Sequence, residues 1–360
     1  MPEKPHDGER LRIGLLGDFS PGDHYFTLGH GAGSLDHQQR RDGLRPLAEV
    51  LGGCDWSVVN LEGVLGDYSP HTMPWESRFL RGEEDWASAL AEAGVRAVSV
   101  ANNHALQHGE RGFRNTVAAC RAAGLSVVGL ATRSGEVEPF EFSIGSTSAV
   151  VLAFSSVPDP RRLSAPTYAF ADATTVAKQV TACAARGQLV IVVMHAGTEA
   201  AWLPDPATLR AAATLRQAGA SVVAVHHSHV FQPILVDDGG MTCCGLGDIF
   251  MDLFWHPAFV TSALVTVEFR DAKFESYQVL PMSLRSNPLR LEALSGFERA
   301  TFLEGLQERT DTLAIRAPDS APLVEYLAFR KLVFFLRHVG VGHTGDKFRF
   351  LRQKLIARLP

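Results

Sequence analysis

Residues 95–101 (VRAVSVA) form an apolar run that ends in two amides and an imidazole, Asn102-Asn103-His104. Apolar strands more often end in Gly, Pro or Asp turns. Four other apolar runs also end in side chains that hold cations. These are Asp18 (GLLGDFS), Glu62 (VVNLEG), His195 (VVMHAG) and His227-Ser228-His229 (AVHHSHV). In an open α/β sheet the carboxyl ends of the strands line one crevice, so the five endings predict a single converging site. Carboxylate, amide oxygen and imidazole suit Mn, Fe or Zn, and the lack of thiolates argues against a structural cysteine-type zinc site. A carboxylate such as Glu62 can bridge two cations. Two metals about 3.5–4 Å apart clamp the attacking and leaving oxygens of a phosphoryl displacement and lower the pKa of a bound water. Asn103 offers a neutral carbonyl oxygen to a metal. His104 can give a proton to a leaving oxygen or a hydrogen bond to a phosphoryl oxygen.

The elements that must position these groups follow a β-α-β-α rhythm. Residues 11–17 and 56–61 read as buried strands, 83–93 as a helix stopped by Gly94, 95–101 as a strand, 110–123 as a helix stopped by Gly124, and 125–130 as a strand. The second half reads as strands at 140–144 and 149–154, a Pro-rich loop (Pro158, Pro160, Pro166), a helix at 176–185 and a strand at 188–194 ending in His195. A helix at 206–218 and a strand at 221–225 ending in His226-His227 come next, then two hairpin-like pairs, 233–236 with 241–245 and 263–269 with 274–280. This alternation predicts a layered α/β sheet protein. After about Asn287 the pattern becomes helical, with candidates at 297–308, 321–337 and 347–358. The expected division is therefore 11–285 and a helical extension, 286–360.

Composition narrows the class. Of 360 residues, 46% are hydrophobic and 20% charged, as in ordinary soluble globular chains. No run of 18 apolar residues exists, which argues against a transmembrane helix. The N-terminal MPEKPHDGERLR lacks an apolar signal core. Five scattered cysteines without C-x-x-C spacing fit a reducing compartment; the expected location is the cytoplasm. A net charge of −5 argues against duplex nucleic acid as a partner. One basic stretch stands out after residue 330: Arg330, Lys331, Arg337, Lys347, Arg349, Arg352, Lys354 and Arg358 against Asp346. It is expected to be a solvated helical face or a contact for an anionic polymer or membrane surface.

In order, G-D, N-L-E, A-N-N-H, M-H-x-G and H-H-x-H-V-x-Q followed by G-L-G-D resemble the CapA family, poly-γ-glutamate synthesis relatives of the metallophosphoesterase superfamily. The resemblance covers roughly residues 11–285. It implies a calcineurin-like four-layer α/β/β/α sandwich with a metal site at one edge. By that similarity Asp18, Glu62, Asn103, His195, His227 and His229 match metal-ligand positions for one or two divalent ions, and His104 matches the catalytic histidine. The chain departs from its relatives at several points. Where metallophosphoesterases open with D-x-H, it has Asp18-Phe19-Ser20, with Asp23, His24 and His30 as possible substitutes. Gln107, Ala196 and Asp248 stand where relatives often carry Asp, Trp and Asn.

Three further residues are candidates for substrate contact or for orienting ligands: Arg78 (ESRFL), Glu199 and His226. The Gly-rich LGHGAGSL (28–35) lacks the G-K-[ST] ending of a P-loop and reads as a loop beside the metal edge. The expected activity is metal-dependent phosphoester hydrolysis assisted by His104. The rivals are γ-glutamyl or peptide amide chemistry at the same centre, or an accessory role in making a surface polymer.

Overall fold

The computed structural model describes residues 9–159, 161, 167–315 and 322–356. In chain order the elements are β1 (Arg10–Phe19), α1 (His37–Leu51), β2 (Trp56–Leu61), β3 (Val64–Leu65), α2 (Pro74–Arg78), β4 (Arg81–Gly82), α3 (Asp85–Glu92), β5 (Ala97–Ser99), α4 (Gly109–Ala122) and β6 (Ser126–Val128). They continue as β7 (Phe140–Ile144), β8 (Thr147–Ser155), α5 (Ala173–Ala185), β9 (Leu189–His195), α6 (Pro206–Gln217), β10 (Val222–His226), β11 (Ile234–Asp237), β12 (Gly240–Cys243) and β13 (Asp248–Phe250). The chain ends with α7 (Pro257–Val260), β14 (Thr261–Arg270), β15 (Lys273–Ser286), β16 (Leu289–Ala293), α8 (Gly296–Ile315), α9 (Leu327–His338) and α10 (Thr344–Ile356).

Two mixed sheets carry the fold. One runs β16-β15-β14-β1-β2-β5-β6, with β13 beside β1; the other runs β11-β12-β10-β9-β8-β7. The strands bearing the candidate ligands lie parallel at the centre of each sheet, as the pairs β1–β2, β2–β5 and β9–β10 show. Side chains alternate between two interiors. In β8, Ala149, Val151 and Ala153 face the seam between the sheets, where they join Leu11, Ile13, Leu15, Val58 and Ile191. Val150, Leu152 and Phe154 face α5 and α6, packing with Val176, Val180 and Leu215. The outer face of the first sheet is covered by α1, α3 and α4 through Leu44, Leu47, Trp86, Leu90 and Phe113. Strands buried on both faces read as unbroken apolar runs, and the layer order is α/β/β/α, as expected.

Three expectations need correction. The sequence pattern marks no element over residues 37–51, yet they form α1 despite Gly43 and Pro46. A capping box between Asp36 and Gln39 starts this helix, and burial of Leu44, Leu47 and Leu51 sustains it. The sheet does not stop near residue 285, because β16 pairs with β15 from Met282–Ala293 to Ser286–Leu289. Lys347 does not belong to a solvated basic face: it is fully buried, and its Nζ donates to the carbonyls of His338 and Val341 at 2.8 and 2.9 Å. Pro160, Pro166, Ala321 and Arg358 lie outside the described residues. Cys243 and Cys244 are buried.

The Gly-rich loop is pinned by two buried carboxyls. Asp23 accepts hydrogen bonds from the Gly29 N–H and the Ser34 hydroxyl. Asp252 accepts from Thr27 Oγ1 at 2.6 Å and from the His24 and Ala32 N–H groups. Burial, together with the charge of Asp23, pushes Asp252 up to about 7. Its folded pKa lies above the unfolded value, so its contribution is fully present below about pH 4 and is lost as pH rises toward 7. Asp252→Asn is therefore expected to gain stability relative to the parent chain between pH 5 and 7.5, on the order of 1–2 kcal/mol. Urea unfolding of both proteins in chelator across that range measures it; parallel pH curves would remove the explanation.

Candidate metal centre

Strand register builds the site. Asp18 lies opposite Asn60 of β2 and Asp248 of β13, and His195 lies opposite His226. The Gly17–Asp18 step needs its glycine, because a Cβ there would meet the Gly247 carbonyl oxygen at 2.1 Å. The first turn beyond β5 explains the paired amides. Asn102 is a pin: its Nδ2 donates to Asn60 Oδ1 and to the Leu61 carbonyl, and its Oδ1 accepts the His104 N–H. Asn103 faces the centre, with its Oδ1 2.9 Å from His195 Nε2. Beyond β10, His227 and His229 take left-handed backbone angles, φ 91° and 57°. Such conformations cost about 1–3 kcal/mol each and cluster at functional sites; here they bring both imidazoles into one group of donor atoms with Glu199.

The donor atoms fall into adjoining groups. Glu62, His195 and His227 form one set whose ligand atoms lie within 4.8 Å of one another, Asp18, Glu62 and His229 a second, and Glu199, His227 and His229 a third. Glu62 is common to the first two. Its carboxylate is buried and neither oxygen has a hydrogen-bond partner among the described residues; Oε1 lies 3.8 Å from His195 Nε2 and 3.9 Å from His104 Nε2. A buried carboxylate without partners is costly unless it is protonated or meets a cation. Burial accordingly pushes Glu62 well above the usual carboxylate range. A cation shared by these groups removes that cost, and the oxygen and imidazole donors fit a divalent ion.

The histidines are prepared for the same task. Burial, reinforced by neighbouring His227, holds His195 well below its ordinary value; burial and His229 bring His227 down to about 4. Neutral imidazole is the ligating form. His229 goes the other way. Burial opposes its charge, but Asp248 and Glu62 outweigh burial and raise it; its Nδ1 lies 2.8 Å from Asp248 Oδ1 and 3.7 Å from Asp18 Oδ2. Asp18 is likewise pushed up by burial, yet His226, His195 and His229 outweigh this and hold it low. Asp18 accepts from Asn60 Nδ2 at 2.8 Å and from the His227 N–H at 3.1 Å.

The site therefore gathers Asp18, Glu62, Asn103, His195, His227, His229, His104 and Glu199. His226 touches Asp18 rather than the cavity, with its Nδ1 2.8 Å from Asp18 Oδ1. Arg78 lies elsewhere: its guanidinium contacts His343 in the turn before α10, because α2 ends there and directs the side chain outward. His104 Nδ1 is 3.1 Å from Gln107 Oε1, and burial, aided by Arg161, brings its ring down to about 4 against the pull of that hydrogen bond. Arg161 donates to the Asn103 carbonyl and Gln107 Oε1 and pairs with Asp159 at 2.9 Å. Sequence reading missed it, since a lone arginine in a Pro-rich loop carries no spacing signal. It also missed Asn60, and it set Lys331 in the basic stretch on a helical face, whereas Lys331 is half-buried in the cavity wall. Of the proposed substitutes for the missing D-x-H histidine, His24 lines the cavity, whereas Asp23 is occupied by its loop and His30 faces Lys347. The cavity, about 240 Å³, is walled by Tyr25, Phe79, Trp255 and Phe259 beside Glu62, His104 and His229.

Among the described residues no helix is long and apolar enough to cross a membrane. Comparison with known proteins places the chain near capsule and polymer proteins. It is 26% identical over 296 residues to the capsule biosynthesis protein CapA of Bacillus anthracis, covering 79% of this chain and 70% of that protein. It is 28% identical over 265 residues to a probable polyglutamine synthesis accessory protein of Mycobacterium tuberculosis, covering 67% and 69%. A solved phosphatase of Mycoplasma pneumoniae superposes with a TM-score of 0.49 at 14% identity, covering 77% of this chain and 94% of that one. Residues 12–253 match the model of the bacterial capsule synthesis protein family PGA_cap, and the chain belongs to that family.

Proposed function

We propose that the chain is a divalent-metal-dependent hydrolase of phosphoesters. The observation that carries this reading is the buried Glu62 carboxylate, shared by two ligand sets and without a hydrogen-bond partner among the described residues. Asp18 and His229 would hold one cation with Glu62; Asn103, His195 and His227 would hold a second. When bound, such ions supply Lewis acidity and lower the pKa of a coordinated water. The chain's own groups do the rest. The side-chain Oε1 of Gln107 fixes the Nδ1–H of His104, which turns Nε2 toward Glu62 and the cavity. An anionic phosphoester at Nε2 favours the imidazolium, which then gives its proton to the leaving oxygen. His226 and Asn60 hold Asp18 in place. The aromatic wall keeps water away from the reacting atoms.

The test is metal content after loading with Mn, Fe or Zn, followed by assays on phosphomonoesters, phosphodiesters and γ-glutamyl amides. About two equivalents of metal and hydrolysis of a phosphoester are expected. Hydrolysis of the amides alone would move the chemistry to carbonyl attack, and no bound metal would end the reading.

A second reading, an accessory part in handling an anionic polymer, is favoured by the exposed Arg330, Arg337, Arg349, Arg352 and Lys354 on α9 and α10. It fits the same family context.

A further inference from the structure

α9 closes the metal cavity from outside the segment matched by the family model. Two β-bridge-like hydrogen bonds anchor the approach to it: Val324 N–H donates to the Ala200 carbonyl at 2.8 Å and Trp202 N–H to the Pro322 carbonyl at 2.9 Å. Residue 200 follows Glu199, so this anchor grips the loop that carries a site carboxylate. The inner face of α9 packs through Phe334 on Trp255 and Phe335 on Phe26. Beyond it, buried Lys347 of α10 binds the carbonyls of His338 and Val341, and the His343 N–H donates to the Leu28 carbonyl. The helix is thus fixed at both ends against the two loops that border the site.

This placement sets Leu327 and Lys331 into the cavity wall. The Lys331 ammonium sits 5.3 Å from the centre of the Trp255 ring, within cation–π range. It is half-buried and makes no hydrogen bond or ion pair with the described residues. Glu199, in the same cavity wall, attracts this ammonium without pairing directly with it, and a partly desolvated ammonium held beside a metal cavity with its donors free is suited to an anion. Beside the site residues Glu62, His104, Glu199 and His229, the same 240 Å³ space has an aromatic side made by Tyr25, Phe79, Trp255 and Phe259.

We propose that Lys331 is the substrate's anion receptor and that the site takes small anionic esters bearing an aromatic or apolar group, the charge meeting Lys331 and the apolar body packing on the aromatic wall. This inference rests on the metal-centre reading above.

The experiment uses the full chain loaded with Mn, with inorganic phosphate and phenyl phosphate as calorimetric probes and metal content measured in every sample. Phenyl phosphate is expected to bind about tenfold more tightly than phosphate. Lys331→Met is expected to weaken phenyl phosphate about tenfold to a hundredfold, with metal content and thermal unfolding unchanged. Lys331→Arg is expected to restore binding to within about fivefold. If Lys331→Met keeps its metal and binds phenyl phosphate like the parent, the proposal is overturned. If the parent holds metal but binds neither probe, the receptor role is overturned while the metal centre stands. A parent that holds no metal overturns both.

Discussion

Glu62→Gln is expected to empty the metal centre and at the same time to stabilise the metal-free protein. The two effects have one cause. Glu62 contributes a carboxylate to two ligand sets, so an amide in its place weakens both positions together; a loss of affinity of at least about a hundredfold is expected, above the usual effect of altering a supporting group. Without metal, however, that carboxylate is buried with neither oxygen hydrogen-bonded among the described residues, and burial raises its pKa well above normal. Glutamine keeps the shape and removes the charge, so the chelated variant is expected to gain roughly 1–3 kcal/mol at pH 8. In the parent chain, metal restores this and more, since a ligand at 100 times its Kd contributes about 2.7 kcal/mol. Urea unfolding in chelator and in Mn, with metal content beside it, reads all of these. A variant that is less stable in chelator would mean that Glu62 has a partner other than a cation.

The parts that were legible in the sequence share a physical origin. A central parallel strand is buried on both faces, so it reads as an apolar run, and its carboxyl end is where a polar side chain first escapes the core. Asp18, Glu62, His195 and His227 stood out for that reason. What remained illegible depends on contacts between distant segments. α1 contains Gly43 and Pro46, and only its cap and its packing on the first sheet make it a helix. β16 is a short edge strand whose partner, β15, decides its conformation. Arg161, Asn60 and Lys331 gain their meaning from what they meet: the Asn103 carbonyl, the Asp18 carboxylate and the Trp255 ring. Arg78 shows the converse, since its position between two site strands in sequence did not predict the outward direction of α2.

His104→Ala is expected to reduce kcat by about a hundredfold to ten-thousandfold, the range for losing a positioned proton donor, while leaving the metal in place. The geometry separates the two roles within one turn. Asn103 faces His195 Nε2 at 2.9 Å, whereas His104 stands 3.9 Å from Glu62 with its other nitrogen on Gln107. Removing the ring leaves the turn supported, because Asn102 binds Asn60 and the Leu61 carbonyl, and Arg161 binds the Asn103 carbonyl. The variant should therefore fold, load metal and bind phosphate, yet turn over slowly. Substrates with good leaving groups need less help from a proton donor, so the loss is expected to shrink for nitrophenyl esters and to be largest for alkyl esters. Equal losses for both would place His104 in binding rather than proton transfer, and an unchanged kcat for alkyl esters would remove it from the mechanism.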